Sequence, residues 1–120
     1  MLKWTKLYGT TATGGALTVT SETPVRGLLH AVEWINGDFT DGVDAVLSAV
    51  RDDNAPDYTL LTLTDANVDR VYYPRELIDT VAGAEVAGEY AKAVINGRLK
   101  LAVTSGGDAK SGGAIVYYEG

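Results

Sequence analysis

Cysteine is absent from the 120 residues of this chain, which removes disulfides, thiolate metal ligands and a cysteine nucleophile together and leaves the redox compartment open. Histidine occurs once, at His30, so a histidine-based zinc centre lacks its ligands. Cations are scarce: 10 Lys and Arg stand against 16 Asp and Glu, for a net charge of −6 and a pI near 4.6. Such a surface repels phosphate backbones and no local basic patch offsets it, so no nucleic-acid partner is expected. Long apolar runs are missing too. No stretch approaches the ~20 residues of a membrane span, and residues 1–6 lack the apolar core of a signal peptide. The expectation is a soluble chain, made in a cytoplasm, with no membrane partner.

What the chain does have is alternation. Leu99, Leu101 and Val103 interleave with Lys100, Ala102 and Thr104, the period of a strand with one buried face. Residues 95–104 and 114–119 therefore read as a hairpin around the glycine-rich turn 105–113, and residues 4–13 and 16–20 as another around Gly14-Gly15. Residues 26–35 place Leu28, His30, Val32 and Trp34 on one face and Leu29, Ala31, Glu33 and Ile35 on the other. Apolar residues on both faces mark a central, covered strand. Residues 43–50 and 58–64 are further strands, separated by the polar loop 51–56. Between 65 and 96 the pattern fades. Ala87, Tyr90, Ala91 and Val94 fit a helical stripe that Gly83 and Gly88 weaken, so that 84–95 is an ordered loop or, second, a short helix. No linker or repeat divides the chain. The fold expected is a single all-β domain over 1–120, an antiparallel two-sheet β-sandwich, jelly-roll-like, with at most one short helix. Leu28, Val32, Leu61, Leu63, Leu99, Leu101, Val103 and Ile115 are the expected core.

Motifs for chemistry are largely missing. His30, on an apolar side of its strand, reads as a hydrogen-bonded structural histidine. No serine sits in a Gly-x-Ser-x-Gly elbow. Asp38, Asp41 and Asp44 recur every third residue, which suits turn geometry better than a calcium loop, whose ligands alternate and end on a glutamate. Lys110-Ser111 lies in a glycine-rich stretch, but a strand follows it, so no helix dipole faces a phosphate. No acid–base pair emerges, hence no enzyme, no cofactor and no metal is expected.

The aromatics carry more. Tyr72-Tyr73 and Tyr117-Tyr118 must each turn one ring away from the core if they lie in strands. Residues 69–76 combine Arg70, Tyr72, Tyr73 and Arg75, residue types enriched at the energetic centres of interfaces. Alternatively one of these tyrosines caps the sandwich edge and Arg75 pairs with Glu76 or Asp79. Residues 1–13, through Trp4, Leu7 and Tyr8, are more apolar than a free arm, which suits an oligomer-contacting arm or edge strand.

Pro24-Val25-Arg26-Gly27-Leu28-Leu29-His30-Ala31-Val32-Glu33-Trp34 resembles the opening strand of small virion proteins of tailed bacteriophages. The leucine-threonine strand from Leu60, then Asn67-Val68-Asp69 and Tyr72-Tyr73-Pro74-Arg75, is similar to a second signature of that group. Gly97 to Val103, Gly106-Gly107 and Val116-Tyr117-Tyr118-Glu119 complete the likeness, which covers most of the chain from residue 24 onward. The helix-compatible stretch 84–95 and the tryptophan in the first strand depart from the group's pattern. The resemblance implies a head-decoration, or cement, protein that binds the major capsid protein on the virion surface as a homo-oligomer, with a trimer favoured by analogy. Its contact residues would be Trp4, Tyr8, Arg70, Tyr72, Tyr73 and Arg75. A carbohydrate-binding module and a tail or adaptor component are the alternatives, and fold alone does not separate them.

Overall fold

The computed structural model describes residues 1–51 and 56–120, so the middle of the polar loop expected at 51–56 lies outside the described residues. The strands are β1 (Leu2–Thr10), β2 (Leu17–Thr20), β3 (Val25–Ile35), β4 (Asp44–Val50), β5 (Tyr58–Leu63), β6 (Arg70–Tyr72), β7 (Glu76–Asp79), β8 (Glu85–Ala91), β9 (Val94–Thr104) and β10 (Ser111–Glu119), with no helix among the described residues. All pairings are antiparallel. The chain is an all-β sandwich, as its alternation implied.

The register shows how the two sheets arise. β10 lies between β1 and β3 in the first sheet, and β9 lies between β2 and β4 in the second, with β5 beyond β4. Three lengths of chain, β1–β2, β9–β10 and β3–β4, thus run side by side through one sheet, turn a common corner and continue through the other. A long antiparallel ribbon folded over on itself in this way is jelly-roll-like. It also corrects the two expected hairpins: β9 does not pair with β10, nor β1 with β2, because their connections cross between sheets instead of reversing within one. The corner loops hold one another. Thr11 N donates to Lys110 O at 2.8 Å, Gly106 N to Gly15 O at 3.0 Å and Thr40 N to Gly106 O at 3.1 Å. Gly15 has φ +87°, and a Cβ there would lie 2.8 Å from Gly106 N, so the corner requires glycine. Asp38 and Asp44 serve the same loops, accepting from Ser111 N and Asp65 N. At the opposite end the first residues of β9 leave the second sheet to pair with Val25–Leu28 of β3. The bend is at Gly97, with φ +151°, where a Cβ would meet Val50 O at 2.3 Å.

Between the sheets, Leu7, Val32, Trp34, Ala114 and Val116 face Ala45, Leu47, Leu63, Leu99, Leu101 and Val103. Trp34 is fully buried, donates from Nε1 to Ala66 O at 2.9 Å and stacks on Phe39 with ring centroids 5.7 Å apart. Each fully buried aliphatic side chain here contributes about 1.5–3 kcal/mol.

Two expected core residues face outward. Ala31 pairs with Tyr117 but Leu29 pairs with Tyr118, so His30 is an extra residue, a β-bulge, in β3. The bulge reverses which parity points inward: Val25 and Leu29 are buried before it, Val32 and Trp34 after it, and Leu28 is 40% exposed. Ile115 is half-buried on the outer face, with Ala114 and Val116 inward. Residues 84–95 are neither helix nor loop. β7 and β8 form a two-stranded ribbon closed by the turn Thr80–Ala84, in which Thr80 N donates to Ala84 O at 2.8 Å and Gly83 takes φ +84°.

Candidate interaction surface

The first sheet has a second face on which, among the described residues, no other sheet packs. Paired residues share a face, so the register orders its outer side into rows. One row is Leu2, Glu119, Leu28 and Val94; the next is Trp4, Tyr117 and Ala31; then Lys6, Ile115, Glu33 and Val71; then Tyr8, Gly113 and Ile35. Trp4 is 64% exposed, and Leu2, Tyr8, Leu28, Val71 and Val94 are exposed beside it. Lys6 Nζ sits 4.8 Å above the Tyr8 ring, and Tyr117 OH donates to Glu33 Oε1 at 3.0 Å. That bond, partial burial and the nearby Glu33 charge hold the Tyr117 hydroxyl above its ordinary pKa. The face is therefore aromatic and aliphatic, crossed by Lys6, Glu33 and Glu119, charges that can set register with a partner.

The expected contact residues divide among three places. Trp4 and Tyr8 project from β1 onto this face, and β1 is an integral edge strand, since its Leu7 is buried in the core. Tyr72 points the other way, packs against the core, and carries Arg70 over its ring at 4.6 Å. The tyrosine that caps the sandwich edge is thus Tyr72. Tyr73, 61% exposed, meets His30 edge-on at 6.1 Å. Arg75 makes no ion pair with Glu76 or Asp79; its Nη1 donates to the carbonyls of His30, at 3.1 Å, and Pro74. Each tyrosine doublet does put one ring outside the core, Tyr73 and Tyr117. The outer-face residues Ile35, Val71, Ile115 and Tyr117 come from β3, β6 and β10 and meet only through the pairing register, which no local sequence pattern carries.

His30 does not show, at Nδ1, the hydrogen bond expected of a structural histidine. Its side chain is 35% exposed, Nδ1 has no hydrogen-bond partner, and Glu119 Oε1 lies 3.6 Å away. Glu119 in turn accepts from Lys92 Nζ, which holds its carboxyl below the ordinary range, with smaller help from the charges of Lys92, His30 and the N-terminus. Together with Arg75 these groups tie the base of the β7–β8 ribbon to β3 and β10. Among the described residues no His, Asp and Glu cluster could hold a metal ion, and no helix is long and apolar enough to cross a membrane. Comparisons with protein-family models, curated proteins and solved structures return no match.

Proposed function

We propose that this chain is a non-enzymatic structural protein of a tailed-phage virion, a decoration or cement protein that binds the major capsid protein on the assembled head. The observation that carries the proposal is the uncovered aromatic face of the first sheet, centred on Trp4, Tyr117 and Tyr8. A cement protein acts through buried contact area, and needs a rigid support with aromatic anchors and few charges that fix register. The folded ribbon supplies that support, and the resemblance at residues 24–34 and 60–75 supplies the class of partner. Tyr73 and Arg75, at the rim near His30, extend the contact.

Binding of isolated heads by the purified chain tests this directly. Trp4→Ala and Val71→Asp should each lose head binding while the domain melts normally; a Tyr72→Ala loss of binding would track a loss of stability instead. Retained binding by both face variants would place the contact elsewhere. Three aromatics on one sheet face also suit a carbohydrate-binding module. Against it, Lys6 occupies one face of Tyr8 and the Tyr117 hydroxyl is engaged by Glu33. Retention on a polysaccharide column, with no affinity for heads, would establish that second function.

A further inference from the structure

The β7–β8 ribbon stands apart from the sandwich. Its strands pair only with each other among the described residues, and Ile78, Val81 and Tyr90 are exposed on it. A lone two-stranded ribbon is marginally stable in water and gains its order from a third strand or a covering surface. Its charge is one-sided: residues 76–91 contain Glu76, Asp79, Glu85 and Glu89 and no Lys or Arg. Asp79 lies directly opposite Glu85, a like-charge pair that destabilises the ribbon until a cation is brought to it.

The complementary surface is on the same molecule's far edge. β1 ends the first sheet and, among the described residues, forms ladder bonds only to β10, which leaves a row of backbone donors and acceptors open. Residues 1–21 carry Lys3 and Lys6 and no Asp or Glu. Both lysines are exposed. β1 spans 9 residues and β8 spans 7, a match in length for strand addition.

We propose that the acidic β7–β8 ribbon of one copy adds to the β1 edge of a second copy, so that the chain assembles head to tail. Charge selects this arrangement over a two-fold one. Pairing β1 with β1 sets Lys3 and Lys6 of both copies together, and pairing ribbon with ribbon sets eight carboxylates together; only ribbon on β1 joins opposite signs. A heterologous contact of this kind closes into a ring or runs on as a filament. From the proposed function it takes only the homo-oligomer, and its test contains no capsid, so it can fail while head binding stands.

The test is the mass in solution of the full chain by light scattering or sedimentation, at low salt and over a range of concentration, for the parent, Lys3→Glu/Lys6→Glu and Glu85→Lys/Glu89→Lys. All changed residues are exposed, and an unchanged circular dichroism spectrum and melting curve confirm that each variant folds. The parent should assemble, and each double variant should dissociate at a concentration about tenfold or more above the parent's. Mixing the two variants should restore assembly, since each then meets a complementary surface on the other, and the fourfold variant should assemble alone. Loss of assembly in both double variants, with recovery in the fourfold variant, is the result a two-fold interface cannot give, because a β1–β1 or a ribbon–ribbon contact answers to only one of the two changes. A monomeric parent, double variants that assemble like the parent, or a mixture that stays dissociated would each overturn the proposal.

Discussion

The two tryptophans of the chain offer a matched pair of perturbations. Trp34 is fully buried, stacked on Phe39 and bonded through Nε1 to Ala66 O. Trp34→Ala removes that packing, opens a cavity between the sheets and leaves a buried carbonyl without its donor. The sum is about 3–5 kcal/mol, a large part of the roughly 5–15 kcal/mol that holds a domain together. For a domain of this size that corresponds to a melting temperature lower by roughly 10–20 °C. Trp4 has the same side chain, 64% exposed, with Tyr117 across the strand pair. Trp4→Ala should cost about 1 kcal/mol or less. Thermal or urea unfolding at a concentration where the chain is monomeric measures both, and head binding is then assayed for the variant that stays folded. Equal destabilisation by the two substitutions would refute the assignment of Trp4 to an open face, and full head binding by Trp4→Ala would refute its role in the contact.

Gly97→Ala should destabilise by about 1–3 kcal/mol, because alanine tolerates neither the φ of +151° nor the approach of Val50 O; an unchanged urea midpoint would contradict the need for glycine at this bend. Glu119 has a lowered carboxyl pKa, so its pairing with Lys92 stabilises the fold fully above the ordinary carboxylate range and is lost as pH falls through the lowered value. Melting temperatures recorded from neutral to acidic pH should fall less steeply for Glu119→Gln than for the parent, and parallel curves would show that the pair does not contribute. Tyr117→Phe should bring the parent's alkaline tyrosine titration down in amplitude at its high-pH end, since the hydroxyl with the raised pKa is the one removed.

Parity was legible wherever a strand kept one phase from end to end. Leu99, Leu101 and Val103 are buried as their alternation with Lys100, Ala102 and Thr104 requires. In β3 the same rule failed at a single residue: the bulge at His30 turns Leu28 outward and Trp34 inward, and composition carries no mark of it. β10 misled because Ile115, the larger residue, lies on the open face while Ala114 fits the close approach between sheets. Strand pairing was less legible than strand existence. Gly14-Gly15 and Gly106-Gly107 signalled turns correctly, but a glycine pair serves a corner between sheets as readily as a hairpin. The β7–β8 ribbon was illegible for a physical reason: both its faces meet solvent, so no buried face imposes a period of two on its sequence. Trp4 and Tyr8 stood out as apolar residues in a lysine-bearing segment, whereas their neighbours Ile35, Val71, Ile115 and Tyr117 come from three strands distant in sequence and join only through the register.

The most direct measurement is co-sedimentation of the purified chain with pre-assembled, expanded tailed-phage heads that carry no decoration protein. A cement protein with an aromatic docking face should pellet with the heads at saturating, stoichiometric occupancy, and Trp4→Ala should stay in the supernatant although it melts like the parent. A parent chain that remains in the supernatant at every concentration, beside heads that bind their other components, would contradict the capsid role.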